Sequence, residues 1–511
     1  MRLQRWLVLV VLIVFAGCGG DDSSTAGGAG GADPATAIPA GVPVYVEAVV
    51  RPEGEQGDNA RELLERFLGD KSITDLIDEQ LEEDDQTYTE DVEPWLGERA
   101  GIGLTDLAAD EPSFIGAVAV TDAEKAEAAI AESKDVEKGA TYEDVPIYMD
   151  SSDEDSSDDS FVGITEEFAI ITETEAQLKE AIDGLGEQSL EQDARFTEAF
   201  GKLPEERLGA LYLDTQAFGD AIAADETLEP AAKGVLDQLF GDGPPLTAAL
   251  TAQPDAATIE SRLPNSVATA LGPFATGTAP EILADAPAGT WGVVGYTDVG
   301  ETLKTTLETF AGALGGAALS GQLEAQTGLN ADRDIFSWIG DISVFVRGET
   351  VDTLDGAIVI EASDQDAAAA AFPRIIAAAR TSGAPVAPAQ VDGADQAFSV
   401  PLPDAPGPIV MATNGELVVL SLGEQAAQDA LDPTETIADS GLYERAKGAV
   451  DGIAPATIFD FSTILSIAEA EGSTDADYEE AKPYLEQLDL LVAGAVQDGD
   501  EYRSLFTITV K

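Results

Sequence analysis

The chain has no histidine and a single cysteine, Cys18, in 511 residues. Without imidazole there can be no Ser-His-Asp triad, no Cys-His dyad and no histidine-ligated metal. With one thiol there can be no intrachain disulfide, and once Cys18 is modified no thiol is left for catalysis. An enzyme built on this chain would have to run on carboxylates, lysine, tyrosine, a Ser-Lys pair or an oxygen-ligated metal. Aromatic residues make up only 6% of the chain, so its cores must rest mainly on Ala, Val, Leu and Ile. Basic residues are also few: 26 against 97 acidic ones, for a formal net charge of -71. Such a field repels phosphate backbones, which argues against nucleic acid as a partner. It repels anionic headgroups as well, so the folded part is not expected to lie on a lipid surface. An acidic surface keeps a protein soluble, and at physiological salt a screening length of about 8 Å damps most of the repulsion.

The first residues are of a different kind. Arg2 and Arg5 give a positive start, and Trp6 to Phe15 is an unbroken apolar run. That run has signal-peptide length and is too short for a membrane-spanning helix. It ends in Phe15-Ala16-Gly17-Cys18, which resembles the lipobox of bacterial lipoproteins, with Phe where Leu is usual. The resemblance implies diacylation of Cys18, and two acyl chains suffice for stable anchoring. An ordinary cleaved signal with an incidental cysteine is the alternative, but the chain's one cysteine falls at this position. Residues 1–18 are therefore read as a lipoprotein signal and residues 19–37, rich in Gly, Ala, Ser and Asp, as a flexible tether. The expected location is extracytoplasmic, held to the cell membrane only by the lipid on Cys18.

Beyond residue 37 the sequence repeats itself at an offset of about 245 residues, too long for a solenoid. Pro39-Ala40-Gly41 recurs as Pro287-Ala288-Gly289, each before an apolar strand. Asp91 to Glu98, containing Trp95-Leu96-Gly97, recurs as Asp334 to Asp341, containing Trp338-Ile339-Gly340. With only four tryptophans in the chain, an aligned pair carries weight. Each copy then offers a β-rich run (115–121; 357–363) and an Ala-rich helix, with Thr121 or Ser363 at a capping position. A hairpin follows, turning at Glu166-Glu167 or Asn414-Gly415. Ala210 to Asp214 matches Ala456 to Asp460, and Leu236 to Leu239 matches Leu485 to Leu488. Two strands close each copy.

The expected fold is α+β: two tandem copies of a mixed, largely antiparallel sheet of about nine strands with helices packed on it. The copies span 38–265 and 283–511, with a linker at 266–282. The acidic run 150–160 is expected to be a disordered insertion. Pro385, Pro388, Pro401, Pro403, Pro406 and Pro408 mark a long loop in the second copy.

The export signal, the Pro-Ala-Gly opening, the Trp-Leu-Gly step and Tyr484-Leu485-Glu486-Gln487-Leu488 together resemble an uncharacterised family of bacterial envelope proteins common in actinobacteria. That family is catalogued as a domain of unknown function. The resemblance covers most of residues 38–511 and implies an exported, membrane-associated protein, with no catalytic residues to carry over.

Candidate chemistry is thin. Asp153, Glu154, Asp155, Asp158 and Asp159 lack the spacing and turn glycine of a calcium loop, and a solvated charge run explains them. Some glycosidase-like carboxylate pairs must occur by chance among 97 acids. Asp214 with Asp460, and Glu98 with Asp341, sit at matching strand ends and read as caps or turns. Trp95 and Trp338 read as core packing at a turn. Gly97, Gly101 and Gly103 have the wrong spacing for a dinucleotide loop and lead into a strand, and no P-loop is present. Ser72 and Ser133 lie near lysines, but not at S-x-x-K spacing. No catalytic, cofactor-binding or metal-ligating residue is expected. The favoured reading is a non-enzymatic envelope module that binds a protein, a wall polymer or a lipid. A carboxylate- or Ca/Mg-dependent hydrolase is the alternative, and a solute-binding lipoprotein the second alternative.

Overall fold

A computed structural model describes residues 31–68, 74, 77–78, 81, 86–107, 113–133, 136–150, 159–224, 233–234, 236, 240–241, 243–271, 277–314, 321, 324–402, 407–470 and 476–511. The signal peptide with Cys18, most of the tether, Ser72 and residues 151–158 of the acidic run lie outside them. So do part of Leu236 to Leu239, Pro403, Pro406 and residues 272–276 of the expected linker. The chain divides into two compact units, Met1–Glu229 with Phe240–Arg262, and Pro230–Leu239 with Leu263–Lys511.

Among the described residues the first unit contains ten strands: β1 Val44–Val49, β2 Leu96–Asp106, β3 Ser113–Val120, β4 Val136–Tyr142, β5 Val145–Asp150, β6 Ser160–Ile164, β7 Phe168–Thr172, β8 Gly209–Leu213, β9 Leu246–Gln253 and β10 Ala256–Pro264. They pair antiparallel throughout in the order β4-β5-β6-β7-β3-β2-β1-β8-β9-β10.

The second unit also has ten: β11 Thr290–Tyr296, β12 Ile339–Arg347, β13 Asp355–Ala362, β14 Ala387–Pro388, β15 Gln396–Val400, β16 Ile409–Thr413, β17 Leu417–Leu422, β18 Thr457–Asp460, β19 Leu488–Asp498 and β20 Glu501–Val510. Their order, β14-β15-β16-β17-β13-β12-β11-β18-β19-β20, is that of the first unit strand for strand, again antiparallel.

The α+β expectation therefore holds, with ten strands per unit in place of about nine. The extra pairing lies in β4–β5 and β14–β15. Strand β4 reads Val-Glu-Lys-Gly-Ala-Thr-Tyr and is largely exposed, so no alternating pattern marks it. Strands β14 and β15 run between the prolines expected to form one long loop. In the expected linker, residues Asn265–Leu271 and Glu281–Ala284 are helical.

Period-two burial explains how each sheet packs. In the first unit Tyr45, Ile115, Ala117, Ile147 and Ile170 face one way, and helices Glu175–Gly184 and Ala194–Phe200 cover them through Leu178, Ile182, Phe196 and Phe200. Tyr45, Phe196, Phe200 and Tyr212 form an aromatic knot with ring centroids 4.5 to 6.0 Å apart. Each such buried ring contributes about 1.5–3 kcal/mol of transfer free energy.

In the second unit Val359 and Val419 face the core that includes Ala427 and Leu431. Their neighbours Ile360 and Val418 face Phe372 and Ile376 of helix Gln365–Thr381. Helices thus cover both faces of that sheet.

Two local details differ from the sequence reading and a third agrees with it. The Ala-rich helices are capped by Asp122 and Asp364, whose carboxylates accept from Lys125 N and Ala367 N. The caps thus fall one residue after Thr121 and Ser363, because each aspartate offers a stronger, charged acceptor. The second hairpin turns at Gly415-Glu416. Gly415 takes φ +90, and Asn414 Oδ1 accepts from Glu416 N and Leu417 N. The first hairpin turns at Glu166-Glu167, with Thr165 N donating to Phe168 O.

Candidate functional site

Positions that match between the two halves of the sequence serve similar mechanical purposes in the two units. Residues Tyr88–Val92 and Asp332–Phe336 each wind as a short π-helical turn. The tryptophan after each turn is buried, and its indole N–H donates back four residues, Trp95 to Asp91 O at 2.7 Å and Trp338 to Asp334 O at 3.0 Å. The aspartate carboxylates also match: Asp91 accepts from Thr87 N and Asp334 from Asn330 N. Gly97 and Gly340 follow because a Cβ there would come within 2.7 Å of Ala119 and 2.8 Å of the Glu361 carbonyl. Gly41 and Gly289 have φ +81 and +83, and Pro39 and Pro287 each form an isolated bridge, to Ser189 and Thr436.

Other residues singled out from sequence also have structural uses. Asp214 caps helix Thr215–Ala223, accepting from Gln216 N and Ala217 N. Asp460 accepts from Ser462 N at 2.9 Å. Glu98 offers its carbonyl to Val50 N and Arg51 N. Ser133 accepts from Gln86 and donates to Ala129 O. Gly101 and Gly103 make room for Tyr45 and Ile38. Asp341 Oδ1 accepts from Asp298 N at 2.9 Å. Burial raises the pKa of Asp341, and of Glu361 on the neighbouring strand, where Asp341 adds repulsion. Among the described residues no three acidic or thiol groups stand together as a metal site.

Several charged clusters escaped the sequence reading. Glu47 lies within β1 on the same face as Tyr45 and is 1% exposed. Its Oε1 accepts from Arg207 Nη2 at 3.2 Å, and Arg99 Nη1 stands 3.9 Å from Oε2. The Arg207 guanidinium sits 4.5 Å over the Phe200 ring. Glu47 Oε2, Tyr45 Oη and Arg207 Nε make no hydrogen bond among the described residues. Burial lifts the Glu47 carboxyl above its usual range, and the two arginines pull it back. Tyr45 is raised by burial and then by Glu47. The one available signal was a charged residue at core-facing parity in an otherwise apolar strand. Its partner lies 160 positions away, where nothing in the sequence points to it.

Beside this cluster, Arg195 forms a two-pronged pair with Asp214 at 3.1 and 3.2 Å, and Tyr212 Oη donates to the same carboxylate. In the second unit Asp334 is wholly covered by Arg333 (2.6 Å) and Arg374 (2.7 Å), which hold its carboxyl well below the usual range. Each cluster spends its charge on its own partners.

One surface feature remains. A shallow depression of about 410 Å³ is lined by Ala176, Lys179, Glu180, Asp183, Gly184 and Gln188. Tyr142 borders it, donating to Asp183 at 2.8 Å with Lys179 over its ring. No described helix is long and apolar enough to cross a membrane.

No curated protein matches the chain. Among solved structures it is similar to the Treponema protein TP0453 in three crystal forms. Form III is 12% identical with TM-score 0.27, covering 45% of this chain and 79% of that one. Form I gives 13%, 0.26, 46% and 79%, and form IV gives 15%, 0.26, 45% and 81%. Likeness at this level carries no weight for fold or role. The profile of DUF3352, a protein family of unknown function, matches residues 7–452, and the chain belongs to that family.

Proposed function

We propose that this chain is an exported bacterial lipoprotein, held to the outer face of the cell membrane by a diacylated Cys18. Its two units are read as tandem copies of one fold, serving as a non-enzymatic binding or structural module of the cell envelope. The anchor rests on sequence: a positive start, a short apolar run, and the only cysteine directly after Ala16-Gly17. The copies rest on the shared ten-strand order together with the paired tryptophans, glycines and capping aspartates. The observation that carries the non-enzymatic reading is the use of these matched residues. The groups that a duplicated active site would share are engaged with backbone atoms instead. A carboxylate-dependent hydrolase draws support from one place, the raised pair Asp341 and Glu361.

The test is fractionation with a clickable palmitate analogue. Wild type takes the label and stays with membranes, whereas Cys18→Ser loses the label and appears in the medium. An unlabelled wild type, or a Cys18→Ser form that stays membrane-bound, overturns the anchor. A native pull-down from membranes, with Asp341→Asn/Glu361→Gln as a companion variant, addresses the role. Partner capture unchanged in that variant supports a binding module.

A further inference from the structure

Strands β4 and β14 occupy the same terminal place in the strand orders of their units, yet they are built differently. Strand β14 is two residues long, Ala387–Pro388, and Pro385 precedes it. Proline has no N–H to give, and this blunts an edge against further pairing. Strand β4 is seven residues long and has no proline; among the described strands it pairs with β5 alone, with a register shift between Lys138 and Thr141 that leaves Thr141 to Tyr142 as the regular stretch next to the turn.

Its turn, Glu143-Asp144, has φ +49 and +66, the two-residue hairpin geometry. Such a turn is closed by the narrow pair Tyr142–Val145. The next pair, Thr141 with Pro146, is therefore the wide one, and Thr141 turns its own N–H and C=O outward. Residues 137–141 are exposed, and no hydrogen bond from another described element reaches the backbone of β4.

The charge around this edge is one-sided. Lys138 is neutralised by Glu127 at 2.6 Å and Lys179 by Glu175 at 2.7 Å. Glu137, Glu143, Asp144, Glu180 and Asp183 have no cation paired with them among the described residues. Glu180 and Asp183 line the depression that Tyr142 borders.

We propose that β4 is a docking edge for an extended cationic segment of another protein, added as one more strand, with its Lys or Arg side chains meeting Glu180 and Asp183. Main-chain bonds supply the pairing and alternate side chains the selectivity. A second copy of this chain is a poor occupant, since each carries a net charge of -71 and like charges repel. The inference rests on the binding-module reading and names its partner class.

The probe is a twelve-residue peptide alternating lysine and threonine, titrated calorimetrically into the full chain carrying Cys18→Ser. The control is the same peptide N-methylated at every second residue, which keeps its charge and loses strand-forming donors. Binding at least tenfold weaker for the methylated peptide, with a further loss in Glu180→Gln/Asp183→Asn, supports the docking edge. So does loss of binding in Thr141→Pro with an unchanged circular dichroism spectrum. Equal binding of the two peptides reduces the effect to bulk charge and overturns the proposal. No binding of the unmodified peptide also overturns it, while leaving membrane fractionation to decide the anchor separately.

Discussion

The two units share a strand order but place their buried charge at different points. At the core-facing position where the first unit carries Glu47, paired across to Ala210, the second has Gly295, bonded across to Ala456. A Cβ on Gly295 would come within 2.6 Å of the Pro280 ring and 2.8 Å of Leu283, so the second unit fills with these two side chains the room that the first gives to a carboxylate and its arginines. The reverse holds at the π-helical turn. Asp334 is closed over by Arg333 and Arg374, whereas Asp91 serves Thr87 with no described arginine beside it. A sheet architecture therefore survives large exchanges of polar for apolar interior, provided each buried charge gains its own counter-ion.

The largest effect is expected from Arg207→Ala, which strands Glu47 with only the more distant Arg99. Chemical unfolding should show a loss of about 3–5 kcal/mol in the first unit. The double variant Glu47→Gln/Arg207→Met should recover most of it. A similar loss in the double variant would mean that Arg207 acts through packing on Phe200.

Next come the tryptophans. Trp95→Phe takes the indole donor from the half-buried Asp91 carbonyl and Trp338→Phe from the buried Asp334 carbonyl, and each should lower stability by about 1–3 kcal/mol. The two losses should agree within about 1 kcal/mol, and a wide gap would break the correspondence between the turns.

The capping aspartates should separate the units. Asp460→Ala should lose about 1 kcal/mol, the usual value of a helix cap. Asp214→Ala should lose more, because Arg195 and Tyr212 lose their acceptor as well. Equal losses would show that the Arg195 pair is worth nothing measurable.

The smallest effect is in pH dependence, and the two buried carboxylates should bend it in opposite senses. Glu47 holds its proton more tightly folded than unfolded. Its contribution to stability is full below the unfolded value of about 4 and fades as pH rises through the folded one. Asp334 holds its proton more weakly folded. Its contribution is full above about pH 4 and is lost as pH falls through the folded value. Stability measured from pH 3 to 8 should flatten on the neutral side in Glu47→Gln and on the acid side in Asp334→Asn.

Much of the architecture was legible because it rests on short-range signals. Nearly continuous apolar runs such as Val44 to Val50 marked the strands, and the Trp-x-Gly step aligned the two halves of the sequence. The caps of the Ala-rich helices were legible to within one residue, the hydroxyls Thr121 and Ser363 standing directly before the aspartates Asp122 and Asp364 that accept the bonds. Strands β4 and β14 were illegible because an exposed edge needs no alternating pattern. The Glu47–Arg207 pair was illegible because long-range packing, not local sequence, brings its members together.

One feature of the sheet order also bears on how the molecule is made. The first strand of each unit ends up in the middle of its sheet: β1 lies between β2 and β8, with Val44 opposite Leu213. A chain emerging from its N-terminus must keep that central strand half-paired until the distant one arrives. Such non-local closure slows folding. Each unit can thus close its sheet only once its far half has been made.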